Sequence, residues 1–264
     1  MPHANTPNPS PTDRAQHMAN GLLQARQQHR AFTPPAECHD LSIDEAYAVQ
    51  ALVGHGMGWF THGVPAWKAG GSPVVSAAPL PAVLASPGCW RPAEAPDTSE
   101  WVIEAEVAFR LARAPQGPDL AADVVAAIGT VAVAIEAIDT RLATGLTGSP
   151  GAWKLADQGV HGTLVIGPER SAQPWLAWPP EAWAQLAWQI DVNGITTQQA
   201  QGGLPAVEPL GALRWLAEHA ARHTGGLKCA DVVTTGAWGV VRARRGDVVD
   251  VRFDGLGQAR LTLI

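Results

Sequence analysis

Cysteine is scarce in this 264-residue sequence, and the three cysteines present are isolated from one another. Cys38, Cys89 and Cys229 form no Cys-x-x-Cys pair, so they fit neither a disulfide framework nor a zinc knuckle. Residues 1–11 also lack the apolar stretch that a secretory signal requires. We therefore expect a protein of the reducing cytoplasm.

Charged residues are few as well, at 16% of the chain, and the net charge is −6. The 18 Lys and Arg residues are scattered rather than clustered, so the sequence offers no basic surface for a phosphate backbone. The longest apolar runs, such as residues 124–138, are interrupted by Gly and Glu and are shorter than a membrane span. The sequence thus predicts neither a nucleic-acid nor a membrane partner.

The aromatic residues are unevenly distributed, because eleven Trp stand against one Tyr and four Phe. Tryptophan is more often buried in a core or in a subunit interface than used as a ligand platform. Since eleven Trp exceed what one core of this size requires, we expect some of them to lie between subunits of a homo-oligomer.

Helical spacing of apolar residues is clearest in two segments near the N-terminus, 12–30 and 42–54. The second segment begins at Ser42 with Glu45 three residues later, which is the pattern of a capping box. A third helix is predicted at 209–223, before a pair of glycines.

From Gly63 onward, short β-strands separated by Pro- and Gly-containing turns dominate. Residues 101–111 and 131–139 are predicted as apolar strands, and Asn193-Gly194 predicts a hairpin turn. The patterns together predict an α+β fold with a curved, mainly β core and helices at the N-terminus and along the flanks.

Acidic residues interrupt both apolar strands. In Glu104-Ala105-Glu106 the two carboxylates lie on one face of the strand, and their like charges raise at least one pKa unless a cation neutralises them. Glu136 lies in the second strand, where a lone carboxylate is costly to bury. These acids predict a site for a hard divalent cation, Mg²⁺ or Mn²⁺. The alternative is a solvated sheet face, or ion pairs with Arg110 and Arg141.

Several blocks of the sequence resemble, in order, blocks of the 2-keto-4-pentenoate hydratases and the related 4-oxalocrotonate decarboxylases, members of the fumarylacetoacetate hydrolase superfamily. The resemblance extends from about Tyr47 to the end of the chain. The blocks are Trp67-Lys68-Ala69-Gly70, Glu104-Ala105-Glu106-Val107-Ala108-Phe109, Ala134-Ile135-Glu136-Ala137-Ile138-Asp139-Thr140-Arg141, Ala156-Asp157-Gln158, Leu213-Arg214-Trp215-Leu216, Leu227-Lys228-Cys229-Ala230-Asp231, Thr235-Gly236 and Phe253-Asp254-Gly255-Leu256-Gly257.

This resemblance implies a β-rich roll of mixed, curved sheets with flanking helices, and a metal held by the three glutamates. The bound substrate would be a small 2-oxo acid. We expect a disordered tail over residues 1–12, a helical region over 13–62 and a catalytic β-rich domain over 63–264 that forms a single structural unit with the helices.

The resemblance also assigns roles to residues outside the glutamate set. Lys68 matches the family's lysine and is expected to be catalytic, by binding the substrate carboxylate or transferring a proton. Asp157 is expected either to position a metal-bound water or to brace its loop. Lys154, Thr235 and Gly236 are expected to bind substrate, and His161 flanks the same segment.

One departure from the family leaves the reaction open. Residues 85–90, Ala-Ser-Pro-Gly-Cys-Trp, lack the acidic residue that the hydratases carry in this loop, so a candidate acid–base group is missing. Hydration of a 2-hydroxy-2,4-dienoate, as in aromatic meta-cleavage, is the favoured reaction. The alternatives are decarboxylation of a 2-oxo-3-enedioate, hydrolysis of an acylpyruvate C–C bond, or a non-catalytic subunit of a hetero-oligomer.

Overall fold

The structure, a computed structural model, describes residues 11–38, 40–70, 75–92, 100–203 and 209–264. Most of the predicted N-terminal tail, residues 1–10, lies outside this range. The helices are α1 (Pro11–Gln27), α2 (Ile43–Gly56), α3 (Leu120–Ala127), α4 (Gly145–Gly148), α5 (Gly151–Ala156), α6 (Gln173–Leu176), α7 (Pro180–Trp183) and α8 (Pro209–His223). Short 3-10 helices span Ala36–Cys38 and Gln158–Val160.

The strands are β1 (Ala66–Gly70), β2 (Ser76–Leu80), β3 (Leu84–Ala85), β4 (Gly88–Trp90), β5 (Trp101–Leu111), β6 (Ile128–Ile138), β7 (His161–Ile166), β8 (Arg170–Ser171), β9 (Ala187–Val192), β10 (Ile195–Gln201), β11 (Val232–Thr234), β12 (Gly239–Ala243), β13 (Val248–Phe253) and β14 (Gly257–Leu263). The α+β class and the mixed sheets predicted from the sequence are confirmed.

The chain packs as two compact units. The helical unit comprises residues 1–62, described from Pro11, together with 140–160; the β unit comprises 63–139 and 161–264. Residues 140–160 thus group with the N-terminal helices, although the sequence placed them in the catalytic domain. That domain assignment stays a prediction.

The helical unit is organised around α1, α2 and α5. Met18 and Leu22 of α1 are fully buried and share an apolar cluster with Val49 of α2 and Trp153 of α5. The predicted capping box starts α2, because the Ser42 hydroxyl accepts from the Glu45 amide while the Glu45 carboxylate accepts from the Ser42 amide.

The β unit contains two sheets. The larger runs in the order β2-β1-β11-β5-β6-β7-β3, with β12 also on β5 and β8 on β6; the smaller runs β10-β9-β13-β14-β4. Strand β5 pairs antiparallel with β6 over ten register positions. Alternate residues of β5, from Ile103 to Leu111, enter the main apolar core, which also takes up buried residues of α8 and of the smaller sheet. The opposite face of β5 carries Glu104 and Glu106.

The hairpin predicted at Asn193-Gly194 joins β9 to β10, and both residues have positive φ, 53° and 77°, as a tight primed turn requires. Residues 85–90, which the resemblance places in a loop, instead contain β4, which pairs in parallel with β14. Gly88 also lets β4 lie close to β7 of the larger sheet, since a Cβ there would lie 2.8 Å from Val165 Cγ2.

Within the described residues, no helix combines the length and the apolar character needed to cross a bilayer.

Candidate metal and active site

Three glutamates of the larger sheet converge on one point. The antiparallel register of β5 and β6 sets Glu104 opposite Glu136, and the strand alternation puts Glu106 on the same face as Glu104. One carboxylate oxygen from each lies within 4.8 Å of the other two. Glu106 and Glu136 are buried and Glu104 is half-buried. The structure therefore brings together the three residues predicted to bind a metal.

Each of the two buried glutamates has one oxygen held by the protein and one oxygen open. Glu136 Oε1 accepts from Lys68 Nζ at 2.8 Å and lies 2.9 Å from His161 Nδ1. Glu106 Oε2 accepts from the Gly236 amide at 3.1 Å. The other oxygens, Glu136 Oε2 and Glu106 Oε1, are buried without a hydrogen-bond partner in the part of the chain that the structure describes.

Burial and mutual repulsion make two of the three acids, Glu104 and Glu106, resist ionisation. Burial raises the pKa of Glu104 to about 7, with Lys68 opposing the shift and Glu136 adding to it. Burial and the neighbouring acids also raise the pKa of Glu106 well above its usual value. Burial would raise the pKa of Glu136 too, but Lys68 and His161 outweigh it and lower that pKa to about 2.

These features fit a divalent metal. Buried carboxylate oxygens without partners are costly to the fold, and a bound cation would satisfy them and offset the repulsion between the acids. An all-oxygen donor set suits hard ions such as Mg²⁺ or Mn²⁺ better than ions that prefer sulfur or nitrogen. The alternative ion pair with Arg110 is not formed, because Arg110 instead contacts Glu169 at 2.6 Å.

Lys68 projects from β1 and its ammonium group contacts Glu136. It is therefore directed at the glutamate set and not, like an ordinary lysine at the end of a strand, at solvent. Its side chain keeps 21% exposure. Burial lowers the pKa of Lys68, but Glu136, Glu104 and Glu106 more than offset this and raise it. Lys68 is therefore a protonated ammonium that donates a hydrogen bond and supplies positive charge beside the acids.

Thr235 and Gly236 follow β11, and their contacts differ. Gly236 donates its amide to Glu106 and so supports one of the candidate ligands. The hydroxyl of Thr235 donates to the Val107 carbonyl at 3.1 Å. The substrate-binding roles given to both residues stay predictions.

Asp157 and Lys154 belong to the helical unit. The fully buried Asp157 carboxylate accepts from Arg26 Nη2 at 2.6 Å, from Thr140 Oγ1 at 2.8 Å and from the Arg141 amide at 2.7 Å. These contacts favour the bracing alternative for Asp157. Its catalytic role, and substrate binding by the half-buried Lys154, stay predictions.

His161 is a site residue that the sequence analysis did not assign a role, since it was named only as flanking the Asp157 segment. It is the first residue of β7, the strand next to β6, and it is buried against Glu136. A histidine at the start of a strand that pairs with a carboxylate-bearing strand is the signal that points to it.

Comparison with known proteins shows the family. Residues 48–264 match the fumarylacetoacetate (FAA) hydrolase C-terminal family model, so the chain belongs to the fumarylacetoacetate hydrolase family. Among curated proteins it is 33% identical over 165 residues to the TodF product hydratase of Pseudomonas putida F1. That alignment covers 59% of this chain and 56% of the hydratase, so the chain matches little more than half the length of this relative.

Solved structures share the fold. A 4-oxalocrotonate decarboxylase from Pseudomonas putida G7, complexed with magnesium and adipate, superposes with a TM-score of 0.74 at 20% identity, covering 96% of this chain and 97% of the other. A fumarylpyruvate hydrolase from Pseudomonas aeruginosa, in complex with Mn²⁺ and pyruvate, gives a TM-score of 0.53 at 16% identity, covering 75% of this chain and 88% of the other. The predicted family and fold are thus confirmed.

Proposed function

We propose that this chain is a divalent-metal-dependent hydro-lyase of aromatic meta-cleavage. It adds water to a 2-hydroxy-2,4-dienoate, or to its 2-oxo-4-enoate tautomer, and the product is a 4-hydroxy-2-oxo acid. The observation that carries the proposal is the set of three converging carboxylates with open, buried oxygens beside a protonated lysine. The similarity to a hydratase supports hydration over the alternative reactions.

Glu104, Glu106 and Glu136 would hold Mg²⁺ or Mn²⁺. The ions named in the two related structures, magnesium and Mn²⁺, support this choice, as does the adipate or pyruvate bound with them. When bound, the metal supplies a Lewis acid for the carboxylate and keto oxygens of a 2-oxo acid.

The remaining chemistry falls to groups of the chain. Lys68 carries a positive charge at the edge of the glutamate set, and its partial exposure leaves it accessible to a substrate carboxylate. In that position it can hold the carboxylate or give a proton to the dienol carbon skeleton. We keep Lys154, Thr235 and Gly236 as proposed substrate contacts and Asp157 as a proposed catalytic residue.

Product analysis tests the reaction. Purified protein with Mn²⁺ and 2-hydroxypenta-2,4-dienoate should consume the conjugated diene, followed by its ultraviolet absorbance, and give 4-hydroxy-2-oxopentanoate by NMR. Release of CO₂ from a 2-oxo-3-enedioate, or of pyruvate from an acylpyruvate, with no hydration would replace this proposal with one of the alternative reactions. Metal binding without turnover of any of the three substrates would favour the non-catalytic subunit.

We also propose a homo-oligomer in the cytoplasm, in which the Trp residues that are not fully buried within the chain would lie between subunits. Of the eleven Trp, all in described segments, seven are buried within the chain and none is exposed. Among the described residues, none of the three cysteines forms a disulfide. Light scattering at micromolar concentration tests the oligomer, and a monomer would contradict it.

A further inference from the structure

His161 and Lys68 share a single oxygen atom of Glu136. Both nitrogens lie within 3 Å of Oε1, at 2.9 and 2.8 Å, while Oε2 of the same carboxylate is buried and has no partner among the described residues. An ionised carboxylate only accepts hydrogen bonds, so the proton of this contact is on His161 Nδ1.

Two donors on one oxygen fix how the carboxylate group is turned. With Oε1 held from two directions, Glu136 cannot rotate about its last side-chain bond without losing both contacts. The oxygen left over, Oε2, is the one that can bind a cation. Glu106 repeats the pattern with one oxygen on the Gly236 amide and the other open.

The two donors differ in solvent exposure, and therefore in how easily each can move away from Glu136. The Lys68 side chain is 21% exposed, whereas that of His161 is 3% exposed. A substrate carboxylate can thus draw Lys68 away from Glu136 while His161 remains in place. Of the two, His161 is the donor suited to hold Glu136 throughout a catalytic cycle.

The backbone next to His161 is held tightly as well. A Cβ at Gly162 would lie 2.8 Å from the Ala137 carbonyl oxygen and 2.9 Å from Asp139 Cβ, so only glycine allows β7 to approach β6 this closely. The register between these strands shifts between Ala137 and Ile138, and His161 pairs with Ile138 beyond the shift. The position of the imidazole is therefore set by the strand pairing as well as by its own hydrogen bond.

We infer that His161 is a positioning residue, which orients Glu136 by an Nδ1–H hydrogen bond so that Oε2 is presented to the metal. The inference rests on the proposed metal site and adds a residue that acts on the metal through Glu136. Residues in this supporting position typically change metal affinity by about 10- to 100-fold when they are removed.

The test is the affinity for Mn²⁺ measured by calorimetry on the full chain, with three variants of His161. Asn places an amide nitrogen near the position of Nδ1, Gln places it farther out, and Leu offers no donor. We expect His161→Leu to bind Mn²⁺ roughly 10- to 100-fold more weakly than wild type. His161→Asn should stay within about threefold of wild type, and His161→Gln should fall between them.

Melting temperatures in metal-free buffer separate positioning from folding. If His161→Leu and His161→Asn bind Mn²⁺ as tightly as wild type and differ only in melting temperature, His161 is structural and the inference is wrong. If His161→Leu does not fold, the comparison of Asn with Gln decides, and equal affinities would overturn the inference. A wild type that binds no Mn²⁺ would overturn the proposed metal site as well, which distinguishes the two failures.

Discussion

Glu136 of the β unit and Asp157 of the helical unit are both fully buried acids, and the protein satisfies them in opposite ways. Asp157 uses both oxygens, with three donors, one of them the Arg26 guanidinium. Glu136 concentrates its two donors on one oxygen and leaves the other without a partner in the described structure.

The difference separates a structural acid from a ligand acid. A buried carboxylate whose oxygens are all hydrogen-bonded stabilises the segment around it, whereas one that keeps a buried oxygen open costs stability until a ligand binds. We therefore expect changes at the glutamate set to alter binding and turnover, and changes at Asp157 to lower stability in addition to any loss of turnover.

The largest effect is expected from Lys68→Met. Methionine keeps much of the apolar stem and removes the charge, and losing a positioned acid or hydrogen-bond donor lowers rates on the order of 10²- to 10⁴-fold. The melting temperature should also fall, because the buried Glu136 carboxylate loses its ammonium partner, but Glu136 can take up a proton and so limit the loss. Turnover of 2-hydroxypenta-2,4-dienoate gives the rate, and near-wild-type turnover would remove Lys68 from the mechanism. Mn²⁺ affinity, measured in parallel, should not fall, since a positive charge has been removed from beside the acids.

Asp157→Asn should have the largest effect on stability. It leaves the Arg26 guanidinium, whose side chain is only 12% exposed, without its anionic partner. Breaking a buried ion pair in this way costs about 3 kcal/mol. Urea unfolding followed by circular dichroism measures the loss. A variant as stable as wild type would show that the two buried acids do not differ in the way proposed.

Glu106→Gln should stabilise the metal-free protein, and by less than Asp157→Asn destabilises it. The neutral amide relieves the repulsion and the burial penalty that raise the pKa of Glu106, while its oxygen can still accept from the Gly236 amide. We expect a gain in stability without metal, because the amide carries no charge that would have to be buried. The same urea assay in the presence of EDTA checks this, and a large loss of stability would contradict the account.

How well the glutamate set could be predicted from the sequence depends on how far apart its members lie along the chain. The shared face of Glu104 and Glu106 follows from strand alternation alone. The pairing of Glu104 with Glu136 depends on the register of β5 on β6 across the intervening helix α3, and no local pattern encodes that register. The resemblance to a family supplied what the pattern could not.

Contacts across long sequence separations were beyond the sequence pattern. Asp157 meets Arg26 at a separation of 131 residues, and Glu136 meets Lys68 at a separation of 68. His161 reaches Glu136 through a shifted register between neighbouring strands. Strand β4 has three residues, too few to show an alternating pattern, which is why it was expected to be a loop.

The central claim is that the open oxygens of the glutamate set bind a divalent metal, and calorimetric titration of Mn²⁺ into wild type and Glu136→Gln tests it most directly. Gln keeps the size of the side chain but removes the charge, and a folded variant can be confirmed by its circular dichroism. The account predicts one Mn²⁺ site per chain in wild type and, in Glu136→Gln, a loss of affinity greater than the roughly 10- to 100-fold expected of supporting residues. No binding by wild type, or equal binding by the two proteins, would contradict it.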